Sequence, residues 1–377
     1  MNTNPAIFKQ KCFHPPYCPN EDCLQHTSQP LSRWYRSKGW AKTQGFPYQV
    51  RCFQCRLCKR SFRYTFFKLS YRDKRYGLSS KIFRFFTCGV SNREIARQLR
   101  CSEHLVRIKL KKLAQWSLLR HSEMLHTLTI EEPIVYDGLE NFAKSQYDPN
   151  HIQQAIGKDS LFIYDFGFAP LNRKGRMSDR QKRVRAELEM NEGRYHPKAI
   201  RTSTQAVFER LYKKRGDLTK PLIIYSDEHF QYERVVTRDL KQCQIQHIQI
   251  SSRQSRNYKN HLFAVNHTDL LIRQHVGAFS RETICFSKTH ESMIQKYILF
   301  SAYKNYFRPQ YVKPHKRRPT ANIHTPAMEL GVARSPFSFS EFFNIKRSLK
   351  QVSLNPEWSS YYHETPTYKR NSIKIAA

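Results

Sequence analysis

Aspartates at the ends of two predicted strands are the residues in this sequence best suited to chemistry. The apolar run Pro133–Tyr136 ends at Asp137, and the run Leu222–Tyr225 leads through Ser226 to Asp227. Two carboxylates held together repel each other unless a cation neutralises them. Oxygen-rich sites suit Mg2+ or Mn2+, and two such ions about 3.5–4 Å apart can stabilise the attacking and leaving oxygens of a phosphodiester displacement. Taken singly, each aspartate is also typical of a turn at a strand end.

A third carboxylate interrupts the apolar face of a helix predicted later in the chain. Apolar residues recur there at helical spacing, at Leu262, Val265, Ile272 and Val276. The missing position in this series holds Asp269, and a buried carboxylate is costly unless it is paired or bound to a metal. We therefore predict Asp269 as a third ligand, with pairing to Arg273 one turn later as the alternative. Asp165, at the end of the third predicted strand, is a less favoured candidate.

The elements that position these carboxylates are predicted in the order three strands, helix, strand, helix, strand, helix. The predicted strands are Pro133–Tyr136, His151–Gly157, Leu161–Tyr164, Leu222–Tyr225 and a strand around His247–Ile250. The predicted helices cover residues 203–214, residues 231–240 and the stretch that carries Asp269. Strands that alternate with helices in this way predict an α/β domain.

The charge balance predicts a polyanionic partner. The 377 residues include 65 Lys and Arg against 30 Asp and Glu, a formal net charge of +35, and 39% are apolar, which suffices for a folded core. Such a charge favours nucleic acid as the partner, with a merely soluble basic protein as the alternative. The sequence has no run of about 18 apolar residues and no secretion signal at its start. We therefore expect no membrane contact and a cytoplasmic, nucleoid-associated protein.

Cysteines cluster near the N-terminus in a pattern typical of a metal site. Of the ten cysteines, six lie between positions 12 and 58. The two candidate pairs are Cys18 with Cys23 and Cys55 with Cys58. Two thiolate pairs on tight turns can supply the tetrahedral four-cysteine site of structural Zn2+. The spare candidates are Cys12, Cys52 and His14, and a set of unligated buried cysteines is the alternative interpretation.

Two basic helices are predicted after the cysteine cluster. Ser91 and Glu94 have the spacing of a capping box, and Ser102 caps a second helix after a short turn around Arg100 and Cys101. This pattern predicts a helix-turn-helix whose second helix reads DNA, with an ordinary helical hairpin as the alternative. The predicted DNA contacts on the second helix are Arg107, Lys109, Lys111 and Lys112, with Glu103 and His104 nearest to the base edges.

Two further groups of basic residues are candidates for phosphate contacts. A basic insert near residues 170–200 contributes Arg173, Lys174, Arg176, Arg180, Lys182, Arg183 and Arg185. The second group, close in sequence to Asp269, consists of Arg273, Arg281 and Lys288. For both groups, a basic surface that contacts only water is the alternative.

The order of these segments resembles that of bacterial insertion-sequence transposases of the DDE type. The corresponding domains are a zinc ribbon over 1–68, a helix-turn-helix over 69–125, a ribonuclease H-like catalytic domain over 130–310 and a basic C-terminal tail over 311–377. Three stretches add to the resemblance: I-R-Q-H-V-G-A-F-S-R-E-T-I-C-F-S-K at 272–288, Y-I-L-F-S-A-Y-K-N-Y-F-R-P at 297–309 and T-P-A-M-E-L-G-V at 325–332. The similarity covers most of residues 18–332.

The resemblance implies a fold and an activity. In the mixed sheet of a ribonuclease H-like domain, the first and fourth strands are neighbours, which would bring together Asp137 and Asp227, the matches to the family's first two acids. The N-terminal domains would bind terminal inverted repeats. A Mg2+-dependent site would release a 3′-hydroxyl that attacks target DNA, with no covalent protein–DNA intermediate. Synapsis of two transposon ends would require a homo-oligomer.

The third acid is where this sequence departs from the family. There, a glutamate lies seven residues before the arginine that Arg273 matches, and this position holds Asn266. Asn266 can offer a carbonyl oxygen to a cation but adds no charge, whereas Asp269 lies three residues later on nearly the same helix face. Asp269 is the preferred third ligand and Asn266 the alternative. The competing functions are a catalytically inactive zinc-ribbon/helix-turn-helix DNA-binding regulator and a metal-dependent DNA nuclease that cuts without joining.

Overall fold

The chain folds into two compact units. The computed structural model describes residues 10, 12–27, 29–310, 324–365, 368, 370 and 371. Within these residues, the first unit takes its parts from Met1–Phe85, Asn92–Glu123 and Phe337–Asn355, and the second from Phe86–Ser91, Met124–Pro336 and Pro356–Ala377. The described part of residues 311–377 is thus divided between the two units, whereas the sequence predicted one C-terminal tail.

The first unit contains a small antiparallel sheet. Its strands lie in the order β1 (Tyr35–Lys42), β2 (Gln49–Cys55) and β3 (Ser61–Arg63). Beside them, an aromatic core packs directly against buried cysteines, and its largest rings are Trp34, Phe53, Phe62 and Phe67. A sheet this small has little apolar surface of its own, so aromatic side chains supply most of its core.

Three helices follow, α1 (Leu78–Thr87), α2 (Asn92–Gln98) and α3 (Glu103–His126). The predicted turn between α2 and α3 is confirmed, because Arg100 has the left-handed φ of 47° that breaks a helix. Ser102 caps α3 as predicted, since its Oγ accepts a hydrogen bond from the backbone N–H of Leu105 at 3.2 Å. A C-terminal helix, α10 (Phe339–Phe342), also belongs to the first unit.

The second unit is built around a mixed sheet of five strands. In chain order they are β4 (Ile134–Phe142), β5 (Pro149–Gly157), β6 (Ile163–Pro170), β7 (Leu222–Ser226) and β8 (Ile245–Gln249). Their order across the sheet is β6-β5-β4-β7-β8, with β5 antiparallel to both of its neighbours and β4, β7 and β8 parallel. This confirms the predicted α/β class with a mixed sheet, and the first and fourth strands of the unit are neighbours.

The helices of the second unit surround this sheet. They are α4 (Asp179–Glu192), α5 (Ala199–Lys213), α6 (Phe230–Arg234), α7 (Phe263–His275), α8 (His290–Ala302), α9 (Pro326–Glu329) and α11 (Pro356–His363). On one sheet face, Tyr136 packs against Phe208 of α5 with ring centroids 4.7 Å apart, and its hydroxyl donates to Thr204 Oγ1 at 3.0 Å. Alternation along β4 directs Asp137 to the opposite face.

Several predicted element bounds are wrong in an informative way. The first strand of the second unit does not end at Asp137 but continues to Phe142, because its polar second half remains paired with β5 as far as Phe142 opposite Pro149. Asp165 likewise lies inside β6 rather than at its end. Within the described part of the chain, each helix is too short or too polar to cross a bilayer.

Candidate functional site

Asp137 and Asp227 lie level with each other on neighbouring strands. The parallel ladder between β4 and β7 pairs Tyr136 with Ser226, and the two aspartates are the next residues along each strand. Adjacent strands lie about 4.8 Å apart, so this register brings the two carboxylates to the same place at the sheet. The backbone N–H of His229 donates to Asp227 Oδ1 at 3.1 Å, which holds this carboxylate at the start of α6.

Asp269 reaches the same sheet face from α7. The side-chain Nε2 of Gln154 donates to Asp269 Oδ1 at 2.6 Å, and the hydroxyl of Tyr297 donates to Gln154 Oε1 at 3.1 Å. Gln154 is the residue directly opposite Asp137 in the ladder between β4 and β5. One glutamine therefore connects the strand position of Asp137 with the carboxylate on the helix.

Burial and neighbouring charges shift the pKa values of Asp137 and Asp269. Burial, together with repulsion from Asp227 and then Asp269, raises the pKa of Asp137 to about 8 even though the backbone N–H of Gly138 donates to it at 2.7 Å. Burial also raises the pKa of Asp269 to about 6, against the opposing hydrogen bond from Gln154. The donor set is all oxygen, which fits Mg2+ or Mn2+.

The three carboxylates do not form a closely spaced cluster in this structure. In the described residues, the one group of at least three His, Cys, Asp or Glu whose ligand atoms all lie within 4.8 Å of one another consists of cysteines.

Asp269 matches the third position of the site better than Asn266 does. The charges that act on Asp137 are those of Asp227, Asp269 and Arg256. The predicted alternative for Asp269 was pairing with Arg273, and the charge of Arg273 does lower the pKa of Asp269. The described hydrogen bond of the Arg273 guanidinium runs from Nη1 to the carbonyl of Phe279 at 3.3 Å, whereas Asp269 accepts its described hydrogen bond from Gln154 on the sheet. Asn266 has no described side-chain contact with Asp137 or Asp227.

Asp165 has a different role from the other strand aspartates. The guanidinium of Arg210 donates to both of its carboxylate oxygens, at 2.7 and 2.9 Å, and also pairs with Glu357 at 3.1 Å. Because Arg210 lies on α5, this network occupies the sheet face opposite Asp137. Asp165 is therefore part of a buried ion-pair network and is not a ligand beside Asp137.

No family model matches this chain, and no curated protein matches it either. The functional assignment therefore depends on the residues and their geometry.

A second candidate metal centre lies in the first unit. It consists of Cys18, Cys23, Cys55 and Cys58, whose sulfur atoms all lie within 4.8 Å of one another. The Sγ atoms of Cys18 and Cys58 are 3.5 Å apart, and those of Cys23 and Cys55 are 3.8 Å apart. A tetrahedron with Zn–S bonds of about 2.3 Å has S···S edges of about 3.8 Å. This cluster could hold a metal ion such as zinc.

The spare candidates for this centre are excluded by their surroundings. Cys12 is exposed, Cys52 Sγ donates to the carbonyl of Val50 at 3.6 Å, and His14 Nδ1 lies 2.8 Å from the hydroxyl of Tyr35. Burial raises the pKa of the Cys18 thiol and that of the Cys23 thiol, so their thiolate forms need a nearby cation.

Two of the four basic residues predicted to contact DNA on α3 point into the protein. Lys109 is 6% exposed and pairs with Asp73, and Lys112 donates to the carbonyls of Leu69 and Tyr71. The prediction that Lys109 and Lys112 contact DNA is therefore wrong for this conformation, because their ammonium groups are already neutralised or hydrogen-bonded inside the first unit. Arg107 is exposed and Lys111 partly exposed, as a DNA contact requires.

The other predicted phosphate contacts lie on the second unit. In the basic insert, Arg176 is exposed and leads into α4, a helix without buried residues that begins with a capping box between Ser178 and Gln181. Arg281 is exposed, and the Lys288 ammonium lies 3.6 Å from the ring centroid of Phe286. The structure thus leaves Arg176, Arg281 and Lys288 accessible to a polyanion. Arg173 and Lys174 line a cavity that is described below.

Three residues near the carboxylates were missed by sequence reasoning. Gln154 and Tyr297 connect Asp269 to the sheet, and Arg256 acts electrostatically on both Asp137 and Asp269. Two adjacent glutamines between the apolar residues Ile152 and Ala155, Gln153 and Gln154, were the available signal, since buried amides need partners. Arg256 lies in a polar loop and carries no signal in the sequence alone.

Proposed function

We propose that this protein is a metal-dependent DNA transposase. The observation that carries the proposal is the common location of Asp137, Asp227 and Asp269, two from parallel neighbouring strands and one from a helix on the same sheet face. Burial and repulsion from the other carboxylates raise the pKa of Asp137 to about 8, and shifts of this size are concentrated at functional sites.

The strand order supports a ribonuclease H-like fold for the second unit. The strands lie in the order third, second, first, fourth and fifth, with only the second strand reversed, so the first and fourth strands are neighbours as the resemblance to DDE transposases implies. The small antiparallel sheet with four clustered cysteines supports a zinc ribbon in the first unit. The short turn between α2 and α3 supports a helix-turn-helix there.

The proposed chemistry proceeds by two displacements at phosphorus. Mg2+ or Mn2+, held by Asp137, Asp227 and Asp269, supplies Lewis-acid activation of the scissile phosphodiester when it is bound. Water attacks the phosphorus, the bond to the 3′ oxygen breaks, and a 3′-hydroxyl and a 5′-phosphate are released. The 3′-hydroxyl then attacks a target phosphodiester, forms a new bond to phosphorus and displaces the target's own 3′ oxygen.

The high positive charge supports DNA as the substrate. With a formal net charge of +35, the protein attracts a polyanion over long distances. Exposed basic residues on both units supply phosphate contacts, among them Arg107 in the first unit and Arg176 and Arg281 in the second. We propose terminal inverted repeats as the specific sites and a homo-oligomer as the active form.

A strand-transfer assay tests this proposal. The substrate is the DNA that flanks the gene on either side, with a supercoiled plasmid as target and Mg2+ or Mn2+ as the metal. Asp137→Ala, Asp227→Ala and Asp269→Ala should each reduce joined products by more than ~100-fold, since even outer-shell residues of metal sites contribute ~10–100-fold. Asp217→Ala is the matched control, because Asp217 pairs with Lys220 in a surface loop.

Each alternative function predicts a different product. Cleaved but unjoined DNA would identify a nuclease instead of a transposase. DNA binding with neither cleavage nor joining, in the wild-type protein with both metals, would identify an inactive regulator. Asn266→Ala should retain activity; if it loses activity while Asp269→Ala retains it, Asn266 is the third ligand.

A further inference from the structure

A cavity of about 640 Å³ with both polar and apolar walls lies beside the carboxylate site in the second unit. It is formed by the end of β4 and the start of β5, by the segment that follows β6, and by the first residues of α5 and α6. None of the three proposed ligands lines it, but His229 and Phe230 do, and they lie two and three residues after Asp227, at the cap and first position of α6. The cavity is thus a separate site next to the proposed reaction centre.

Buried polar atoms without partners lie at the wall of this cavity. Asn150 is 0% exposed, and neither its side-chain oxygen nor its nitrogen has a hydrogen-bond partner among the described residues. The Oε1 atom of Gln231, on the other side of the cavity, is also buried without a partner. Unpaired buried amides are unfavourable. Since Asn150 pairs through its backbone with Asn141 and Pro170, its position is fixed by the sheet. Its amide therefore has one donor group and one acceptor that no described residue satisfies.

An aromatic surface lies at the same cavity. Phe230 is 52% exposed and stacks with His229 at a centroid distance of 5.2 Å and an interplanar angle of 18°. The guanidinium of Arg234 also lies over this ring, 4.9 Å from its centroid. The part of the ring that remains exposed can contact a planar ligand.

Cationic groups complete the cavity. Arg173, Lys174 and Arg194 all line it, and the Nε atom of Arg173 is buried without a partner. The Arg194 guanidinium forms a salt bridge with Glu189 at 3.6 Å, so Arg173 and Lys174 are the cations best placed to bind an anion. These groups match the three parts of a nucleotide. The Asn150 amide fits the edge of a base, the exposed Phe230 ring fits its face, and Arg173 and Lys174 fit the phosphate.

We propose that this cavity binds one unpaired nucleotide, with its base hydrogen-bonded to Asn150 and stacked on Phe230 and its phosphate against Arg173 and Lys174. The nucleotide comes from DNA extruded next to the reaction centre, and this source rests on the proposed function. A single nucleotide leaves a duplex most easily where it is already unpaired. The cavity therefore recognises distorted DNA beside the proposed cleavage site.

Binding of dAMP to the full-length protein tests the cavity itself, by titration calorimetry or saturation-transfer NMR. Deoxyadenosine and inorganic phosphate serve as partial ligands. Asn150→Leu and Arg173→Gln should each weaken dAMP binding about 10-fold, the effect of losing one good base or phosphate contact. Arg238→Gln is the matched control, because Arg238 is exposed and does not line the cavity. Asn150→Leu should also unfold at the same or a higher temperature, because it removes two unpaired polar atoms.

Two results would overturn the cavity proposal. If inorganic phosphate binds as tightly as dAMP, the cavity is an anion site without base recognition. If Asn150→Leu binds dAMP normally, the buried amide does not contact the base. A lower unfolding temperature together with normal binding would assign Asn150 a structural role only.

A second experiment, with DNA duplexes in place of dAMP, tests the source of the nucleotide. Duplexes of one sequence, either fully paired or with a single unpaired deoxyadenosine, are compared by fluorescence anisotropy. The wild-type protein should prefer the unpaired duplex about 10-fold, and Asn150→Leu should bind both equally. Equal binding by the wild type, with dAMP still bound, would mean that the cavity takes a free nucleotide. Absence of strand transfer with dAMP binding intact would refute only the proposed function.

Discussion

Gln154 donates a hydrogen bond from Nε2 to Oδ1 of Asp269 at 2.6 Å. Because Gln154 lies opposite Asp137 in the ladder between β4 and β5, this bond sets the distance between a strand carboxylate and a helix carboxylate. The Tyr297 hydroxyl fixes the other end of the same amide by donating to it at 3.1 Å. Gln154 is therefore a positioning residue for the proposed third ligand.

Gln154→Leu should reduce strand transfer by ~10–100-fold, the usual effect of losing an outer-shell partner of a metal site. The lost hydrogen bond favours the charged form of Asp269, so its removal should raise the Asp269 pKa above the present value of about 6. The acid limb of the pH–rate profile should then move to higher pH. Initial rates of joining between pH 5 and 9 measure this shift.

Tyr297→Phe is the control for that shift, since it leaves the bond between Gln154 and Asp269 in place. It should cost less activity and leave the acid limb where it is in the wild type. An unchanged acid limb in Gln154→Leu, with activity lost, would show that Gln154 acts on the fold and not on Asp269.

Asp137 should make the metal-free protein less stable as the pH rises. Its folded pKa of about 8 lies above its ordinary value of 3.8, so the folded state binds this proton more tightly than the unfolded chain does. The stabilisation that comes from the proton on Asp137 is therefore fully present below about pH 3.8 and is lost as the pH rises through 8. Asp137→Asn should raise the thermal midpoint at pH 9 by several degrees and change it little at pH 4.

Mg2+ provides the complementary measurement for Asp137. At pH 8 the metal should raise the midpoint of the wild type more than that of Asp137→Asn, because binding neutralises the repulsion among the carboxylates. If the thermal midpoints of the wild type and of Asp137→Asn changed with pH in parallel, both with and without Mg2+, the result would argue against a cation site at Asp137.

The sequence predicted the succession of strands and helices along the second unit but not the ends of its strands. Apolar runs indicated where strands lie, yet β4 continues beyond Asp137 through Gly138, Glu140 and Asn141, which carry no apolar signal. Pairing with β5 holds these polar residues in the strand, and pairing between distant segments cannot be read from local composition.

The candidate site residues likewise include some that the sequence could predict and some that it could not. Asp137 and Asp227 were predictable because they follow apolar runs, and the four cysteines because their spacing is characteristic. The inward direction of Lys109 was not predictable, because its partner Asp73 lies 36 positions earlier in a segment without regular structure. A charged residue on a basic helix has the same local sequence whether its side chain meets DNA or a buried aspartate.

The cysteine centre should contain one zinc ion per chain, measured by inductively coupled plasma mass spectrometry on protein purified without chelators. Cys55→Ser should lose the metal and lower the thermal midpoint of the first unit, because a structural zinc site contributes directly to folding. Cys52→Ser and Cys12→Ser are matched controls in the same segment and should keep the metal. Full zinc content in Cys55→Ser would contradict the assignment.

Arg107 and Lys109 should respond differently to substitution, although they lie two residues apart on α3. Arg107→Ala should weaken DNA binding and reduce the slope of log affinity against log salt by about 1, the effect of one lost phosphate contact. Lys109→Met should lower the thermal midpoint, because it removes the closer of the two lysines that pair with the buried Asp73 and leaves only Lys112, 3.8 Å away, and it should keep the salt slope. Anisotropy titrations at four salt concentrations separate the two. A reduced slope in Lys109→Met would restore it as a DNA contact.

Arg210 should be among the residues most important for the stability of the second unit. Arg210→Met leaves the buried carboxylates of Asp165 and Glu357 without a cation, and breaking such a pair costs about 3–5 kcal/mol. Arg201→Met is the matched control on the same helix, because its partner Asp239 is more accessible to water, and it should change the unfolding midpoint much less. Urea unfolding measures both.

Asp165→Asn should destabilise the protein yet retain strand transfer in the folded fraction, because Asp165 faces α5 and not the proposed metal site. Loss of strand transfer in fully folded Asp165→Asn would instead make it a ligand.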